Sequence, residues 1–217
     1  METSSGSRWP LPTAEGPGAW VAPAGGARAA QPPGLPHWID EELWLVELAE
    51  PVLPEETRLV GARGRLLGRV ERWTPALARE LAEACAWRAR DQAVGALRGR
   101  GCATLADDLA GARELADVER LVAATAAAEL PAHAAFAADA AALARGARPE
   151  AWLADTACTG HPRQAPAATA ANLCFVVAHT AGLAAAEERG AGAYEAGAQA
   201  ERAWQAAWLA DRLGLAG

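Results

Sequence analysis

The sequence predicts a mainly α protein: a helical bundle of about five to seven helices with a short N-terminal β-hairpin and a disordered N-terminal tail. Three observations carry this. Hydrophobic residues make up 52% of the 217 residues, and much of that share is alanine, the strongest helix former. Isoleucine occurs once, at Ile39, and Val, Thr, Phe and Tyr are few outside short runs, which disfavours a large sheet. Helix-start and helix-stop residues punctuate the chain from Thr74 onward. Alanine buries little area, so the nine tryptophans are expected to do much of the packing.

Residues 1–36 are rich in Pro, Gly, Ala and Ser and lack apolar periodicity, so a disordered tail is expected there, followed by one helical domain over 37–217. Trp9-Pro10 and Trp20-Val21 read either as docking motifs or as parts of an arm folding onto its own domain. The hairpin is expected at about 43–70. LWLVEL (43–48) reads as its first strand, AEPVLPEETR (49–58) as a turn or extended link, and LVGARGRLLGRV (59–70) as a second strand or one broken by glycine. Acids flank the first run and arginines the second, which favours antiparallel pairing; an anion site built from GARGR is the other reading.

Thr74-Pro75 pairs an N-cap hydroxyl with proline at the first helical position and predicts a helix to about Leu97. Thr104 is expected to cap the next helix, which Gly111 shortens or kinks. A segment from about Ala116 to Leu143 follows, with a kink or break at Pro131. A short helix carrying Trp152 over 149–157 and a loop over 158–166 come next. An uncharged helix runs from Pro166 to about Glu188, and a last helix from Ala193 to Leu213. The uncharged stretch from Ala165 to Ala186 is just long enough to span a bilayer, but its alanines, Asn172 and His179 make it a weak inserter, so a central buried helix is expected and no membrane partner.

Residues that are missing exclude chemistry. No lysine occurs, so all 20 basic residues are arginine, and Schiff-base chemistry and a normal Walker A loop are ruled out. Serine stands only at Ser4, Ser5 and Ser7, which leaves no serine nucleophile in the body. No strand-linked GxGxxG or HExxH motif is present. Arginine for lysine and abundant alanine point to a high-GC bacterial coding bias. The formal net charge of -7 disfavours nucleic acid as a partner. Four widely spaced cysteines read as reduced thiols, and the start METSSGSRWPLPTAEG lacks the regions of a signal peptide, so a cytoplasmic protein is expected.

Candidate site residues are few. His179 shares a helix face with Asn172, and His133 on an earlier helix, with Glu129 one turn behind it, is in reach of that face. The set reads either as a polar pocket for a small ligand or as an internal network that fixes helix register. Arg88 continues the apolar stripe of Leu77, Leu81 and Cys85; it is either a buried charge paired with a carboxylate or an arginine whose stem packs while its head reaches water. Trp204 and Trp208, one turn apart, are core anchors or, if exposed, a partner surface. Cys158, His161, Cys174 and His179 resemble a two-plus-two zinc set, yet Cys174 and His179 fall about 140° apart around a helix, so no metal and no cofactor are expected.

Two stretches, RELAEACAWRARDQA (79–93) and AANLCFVVAHTAGLAAAEERGAGAYEAGAQAERAWQAAWL (170–209), are alanine-rich helices dotted with Cys, His and Trp. In that texture the C-terminal two thirds resembles the helical immunity proteins of actinobacteria, the Imm5-like group. The resemblance implies a non-enzymatic protein that binds and blocks a partner toxin. The expected function is therefore protein–protein contact, as an immunity or regulatory factor, with homo-oligomerisation left open. The alternative is a ligand- or metal-binding helical domain around His179.

Overall fold

The computed structural model describes residues 9–125, 132–147 and 166–215. Its first third is a unit of five short strands. They are β1 (Ala27–Ala29), β2 (Trp44–Leu48), β3 (Val52–Glu55), β4 (Arg58–Gly61) and β5 (Gly64–Arg69). β2 pairs antiparallel with β5, placing Val46 opposite Leu66 and Glu47 opposite Arg65. The expected charge pairing is present: Arg65 meets Glu47 at 2.6 Å and Arg69 meets Glu42 at 3.4 Å. Both pairs are partly solvated, so each adds less than about 1 kcal/mol and serves mainly register. The link 49–58 is itself structured. It contributes β3, which turns back on β4, nesting a second hairpin inside the first and forming a three-stranded sheet in the order β1-β4-β3.

The tail expected over 1–36 differs from the structure at residues 9–36. Val21 and Gly64 exchange two backbone hydrogen bonds of 2.9 Å, and β1 pairs with β4. Trp9 is 7% exposed and forms a small core with Ala27 and Leu66. A Cβ at Gly64 would come within 2.7 Å of the Trp9 ring, so glycine leaves room for the edge of the indole against the strand. Pairing of this kind needs no apolar period, only free strand edges, and a Pro/Gly-rich segment hides it.

The helices largely follow their punctuation. α1 (Pro75–Gly99) starts where Thr74 Oγ1 accepts from the Leu77 amide at 3.2 Å. α2 (Ala103–Ala110) has Cys102, not Thr104, at its N-cap, with no side-chain cap bond. The long segment expected from Ala116 is two separate helices, α3 (Leu115–Ala123) and α4 (Ala132–Ala144). α5 (Pro166–Arg189) and α6 (Tyr194–Leu213) complete the bundle, and α6 stops at Gly214 in the left-handed region, φ 70°. The expected helix over 149–157 and the loop that follows it to residue 165 lie outside the described residues.

Side-chain partners set the helix directions. Cys85 faces Cys174, Gln92 faces Val177 and Thr180, and Arg100 faces Glu187, so α1 and α5 run parallel. Gln205 reaches Cys174 and Tyr194 reaches His179, so α6 runs antiparallel to α5. Leucines fill the deep core, notably Leu81, Leu97, Leu109, Leu173 and Leu209, all fully buried among alanines. Tryptophan does less of this than expected. Trp9 and Trp73 are buried, but Trp20, Trp44, Trp87, Trp204 and Trp208 are half-buried and Trp38 is 43% exposed.

Small residues let α5 and α6 approach closely. A Cβ at Gly182 would meet the Tyr194 ring at 2.7 Å, and one at Gly197 would meet Ala185 at 2.5 Å and the Ala181 carbonyl at 2.7 Å. α5 is long and apolar enough to cross a membrane by length and composition. Leu173, Cys174, Val177 and Ala178 nevertheless pack it into the bundle as a core helix.

Gly197 and Gly95 should respond in opposite ways to alanine. Gly197→Ala overpacks the α5–α6 contact and is expected to lower unfolding free energy by about 1–3 kcal/mol. Gly95, in α1, has nothing within 4 Å of an added Cβ, so Gly95→Ala should raise it by about 0.5–1 kcal/mol. Urea unfolding of the two variants checks both signs.

Candidate functional site

The three-helix seam between α1, α5 and α6 collects three of the four buried polar side chains among the described residues, Thr180, Glu201 and Gln205. Glu201, on α6, is only 2% exposed and takes its charge into the seam. An isolated carboxylate there would be costly. Arg88 answers it from α1: its Nε lies 3.0 Å from both Glu201 oxygens, and a second nitrogen donates to Oε2 at 2.5 Å. The guanidinium also lies over the Trp204 ring, 4.5 Å from its centroid. The hydrogen bonds to Glu201 raise the Arg88 pKa despite partial burial. Of the two readings for Arg88, the paired one is realised, with the guanidinium still partly exposed.

Gln92, one turn further along α1, continues the network. Its amide donates to Glu201 Oε2 at 3.4 Å and to the Val177 carbonyl at 3.3 Å, and its oxygen accepts from Thr180 at 2.6 Å. Gln205, fully buried on α6, donates to the Cys174 carbonyl at 3.0 Å. Gln92, Thr180, Glu201 and Gln205 were not singled out from the sequence. The signal was there: Ala198, Glu201, Gln205 and Leu209 follow helical spacing, and two polar residues occupy the inward stripe.

The residues expected around His179 do not come together. His179 is half-buried and its Nδ1 lies 2.7 Å from the Tyr194 hydroxyl, a latch between α5 and α6. Asn172 is half-buried, with its Nδ2 lacking a hydrogen-bond partner among the described residues. His133 is 2% exposed and faces Glu187 instead, Nδ1 to Oε2 at 4.0 Å. Glu129, Cys158 and His161 lie outside the described residues. Cys174 and His179 have separate partners, and no group of three or more metal-binding side chains occurs among the described residues. Trp204 and Trp208 are anchors at the rim, packed against the main core with Arg88 and Arg212 over their rings.

Cys85 and Cys174 touch across α1 and α5, Sγ to Sγ 3.8 Å, both buried. Their shared hydrogen bond, and then burial, push the Cys85 thiol well above its usual pKa. A thiol held protonated is a poor nucleophile at neutral pH.

The surface of the β unit has another character. Among the described residues six large apolar side chains are exposed, and five of them, Leu11, Trp38, Leu45, Leu53 and Leu67, belong to this unit. Leu67 is the extra residue of a bulge, since Leu45 faces Gly68 and Val46 faces Leu66. Arginines stack beside them: Arg58 lies over Trp38, and Arg63 and Arg65 over Trp20. Phe175 on α5 is the sixth exposed side chain.

No known family model matches the chain, and no curated protein or solved structure is significantly similar to it.

The thiol pair is directly testable. In a variant with Cys102→Ser and Cys158→Ser, a thiol-reactive disulfide reagent at pH 8 should leave the native protein unlabelled for minutes and label both remaining cysteines in urea. A raised folded pKa also fixes a pH dependence. Below the unfolded thiol value of about 8.5 the contribution of Cys85 is fully present, and it is lost as pH rises through the alkaline range. Cys85→Ala should flatten that alkaline loss of stability; rapid native labelling would contradict a buried pair with a protonated Cys85.

Proposed function

We propose that this chain works by contact with another protein, and that the β unit is the contacting surface while the helical bundle holds it rigid. One observation carries this reading: five of the six exposed large apolar side chains among the described residues belong to the β unit, where Arg58 and Arg65 also stack on Trp38 and Trp20. Trp and Arg dominate binding hot spots because they combine large contact area with directed polar groups. The seam side chains that have chemical potential are engaged with one another: Arg88 with Glu201, Gln92 with Thr180, and Cys85 with Cys174. A role as an immunity or regulatory factor follows from the resemblance noted in the helical segments, and the partner would then be a toxin.

The test compares two variants in affinity capture, with the captured protein identified and its binding then titrated with purified components. Leu53→Glu/Leu67→Glu places charge on the exposed β surface and should leave the unfolding free energy within about 0.5 kcal/mol per site. It should weaken partner binding at least tenfold, about 1.4 kcal/mol. His179→Ala cuts the Tyr194 latch and should lower the melting temperature while leaving partner affinity unchanged. Equal affinity for the β-surface variant and the parent chain would remove the β unit from the interface.

A further inference from the structure

Because α1 and α5 run parallel, their C-terminal ends lie at the same end of the bundle, where backbone carbonyls carry partial negative charge. Between these ends is a groove of about 760 Å³. Gly95, Ala96 and Gly99 from α1 and Ala184 from α5 make a small-residue floor, and Arg100, Glu187 and Glu188 stand along the wall. From Gln92 to Gly99 the groove follows about 10 Å of helix.

The floor glycines set this groove apart. Gly182 and Gly197 are required by close packing, but a Cβ at Gly95 or Gly99 would meet nothing within 4 Å. Glycine inside an exposed helix costs about 0.5–1 kcal/mol relative to alanine. At Gly95 the fold gains no contact in return; what the missing side chain leaves is open space.

The charges along the wall are unequal. Arg100 bonds Glu187 at 3.2 Å across the groove. His133 is buried behind Glu187, its Nδ1 directed at that carboxylate from 4.0 Å and both ring nitrogens without a hydrogen bond. Glu188 lines the groove, is exposed, and has no partner among the described residues. Two carboxylates against one guanidinium, at two helix C-termini, favour a cation.

We propose that this groove binds a linear alkylamine, of which polyamines are the common biological form. The methylenes lie on Gly95, Ala96, Gly99 and Ala184, and the ammonium sits against Glu188, with Glu187 held between Arg100 and His133. The site lies on the bundle and is independent of the β-unit surface.

Isothermal titration at about 0.15 M salt tests it, since exposed charge attraction is largely screened there beyond about 8 Å. The probes are spermidine, n-hexylamine and hexanoate. Spermidine and hexylamine should bind saturably at one site, and hexanoate should not. Gly95→Leu fills the floor and stays folded, because leucine favours helix and the position is open; it should weaken both amines more than tenfold. Glu188→Gln should weaken them about three- to fivefold, as an exposed ion pair allows. Absence of saturable amine binding, equal binding of hexanoate, or unchanged binding by Gly95→Leu would each overturn the proposal; the last would assign the attraction to the chain's overall negative charge.

Discussion

The bundle is organised around a carboxylate that has to be neutralised. Glu201 is inside the seam at 2% exposure, and among the described residues Arg88, with help from Gln92, gives its charge a partner. That requirement aligns α1 with α6, and Gln92 passes the constraint to α5 through Thr180 and the Val177 carbonyl. Removing one member of a buried pair strands the other, so α1 cannot slide or rotate past α6 without exposing or orphaning Glu201. Close approach at Gly182 and Gly197 fixes α5 against α6, and the polar seam ties α1 to both.

The same economy governs the rest of the packing. Alanine and glycine bring α5 and α6 close enough for backbone and ring to touch, as at Gly182 and Tyr194, while leucines fill the centre. Trp9 and Trp73 are buried, but five other tryptophans stand at the rim, each with a guanidinium over its ring. Arg88, Arg90 and Arg212 lie over Trp204, Trp87 and Trp208 in the bundle, and Arg58 and Arg65 over Trp38 and Trp20 in the β unit. Arginine suits this stacking because its planar, weakly hydrated head can rest on an indole and still donate hydrogen bonds. A chain with no lysine thus covers much of its apolar rim with its own cations.

Much of the fold was readable because its signals are local. Thr74-Pro75 marks the start of α1, and opposite charges pair β2 with β5. Residues 9–36 were readable only in part: Trp9 and Val21 do belong to an arm folded onto its own domain, but the strands that hold them lie more than 40 residues later and leave no periodic trace. The candidate site was half readable. Arg88 stood out as a charge in an apolar stripe, but its partner Glu201 lies 113 residues away. His133, Asn172 and His179 were grouped by helical spacing on α5 and by an assumed position for α4. α4 instead brings His133 to the C-terminal end of α5, beside Glu187 and two turns beyond His179.

The most direct measurement of the seam is a double-mutant cycle on Arg88 and Glu201, with Arg88→Met, Glu201→Met and the double variant unfolded in urea. If the pair sets helix register, Arg88→Met should cost about 3 kcal/mol or more, because it leaves the carboxylate buried and unpaired. The double variant should recover most of that loss, a coupling of about 2 kcal/mol between the two positions. Additive losses, with no recovery in the double variant, would show that Glu201 is not held by Arg88 and that the register of the bundle rests on its apolar contacts instead.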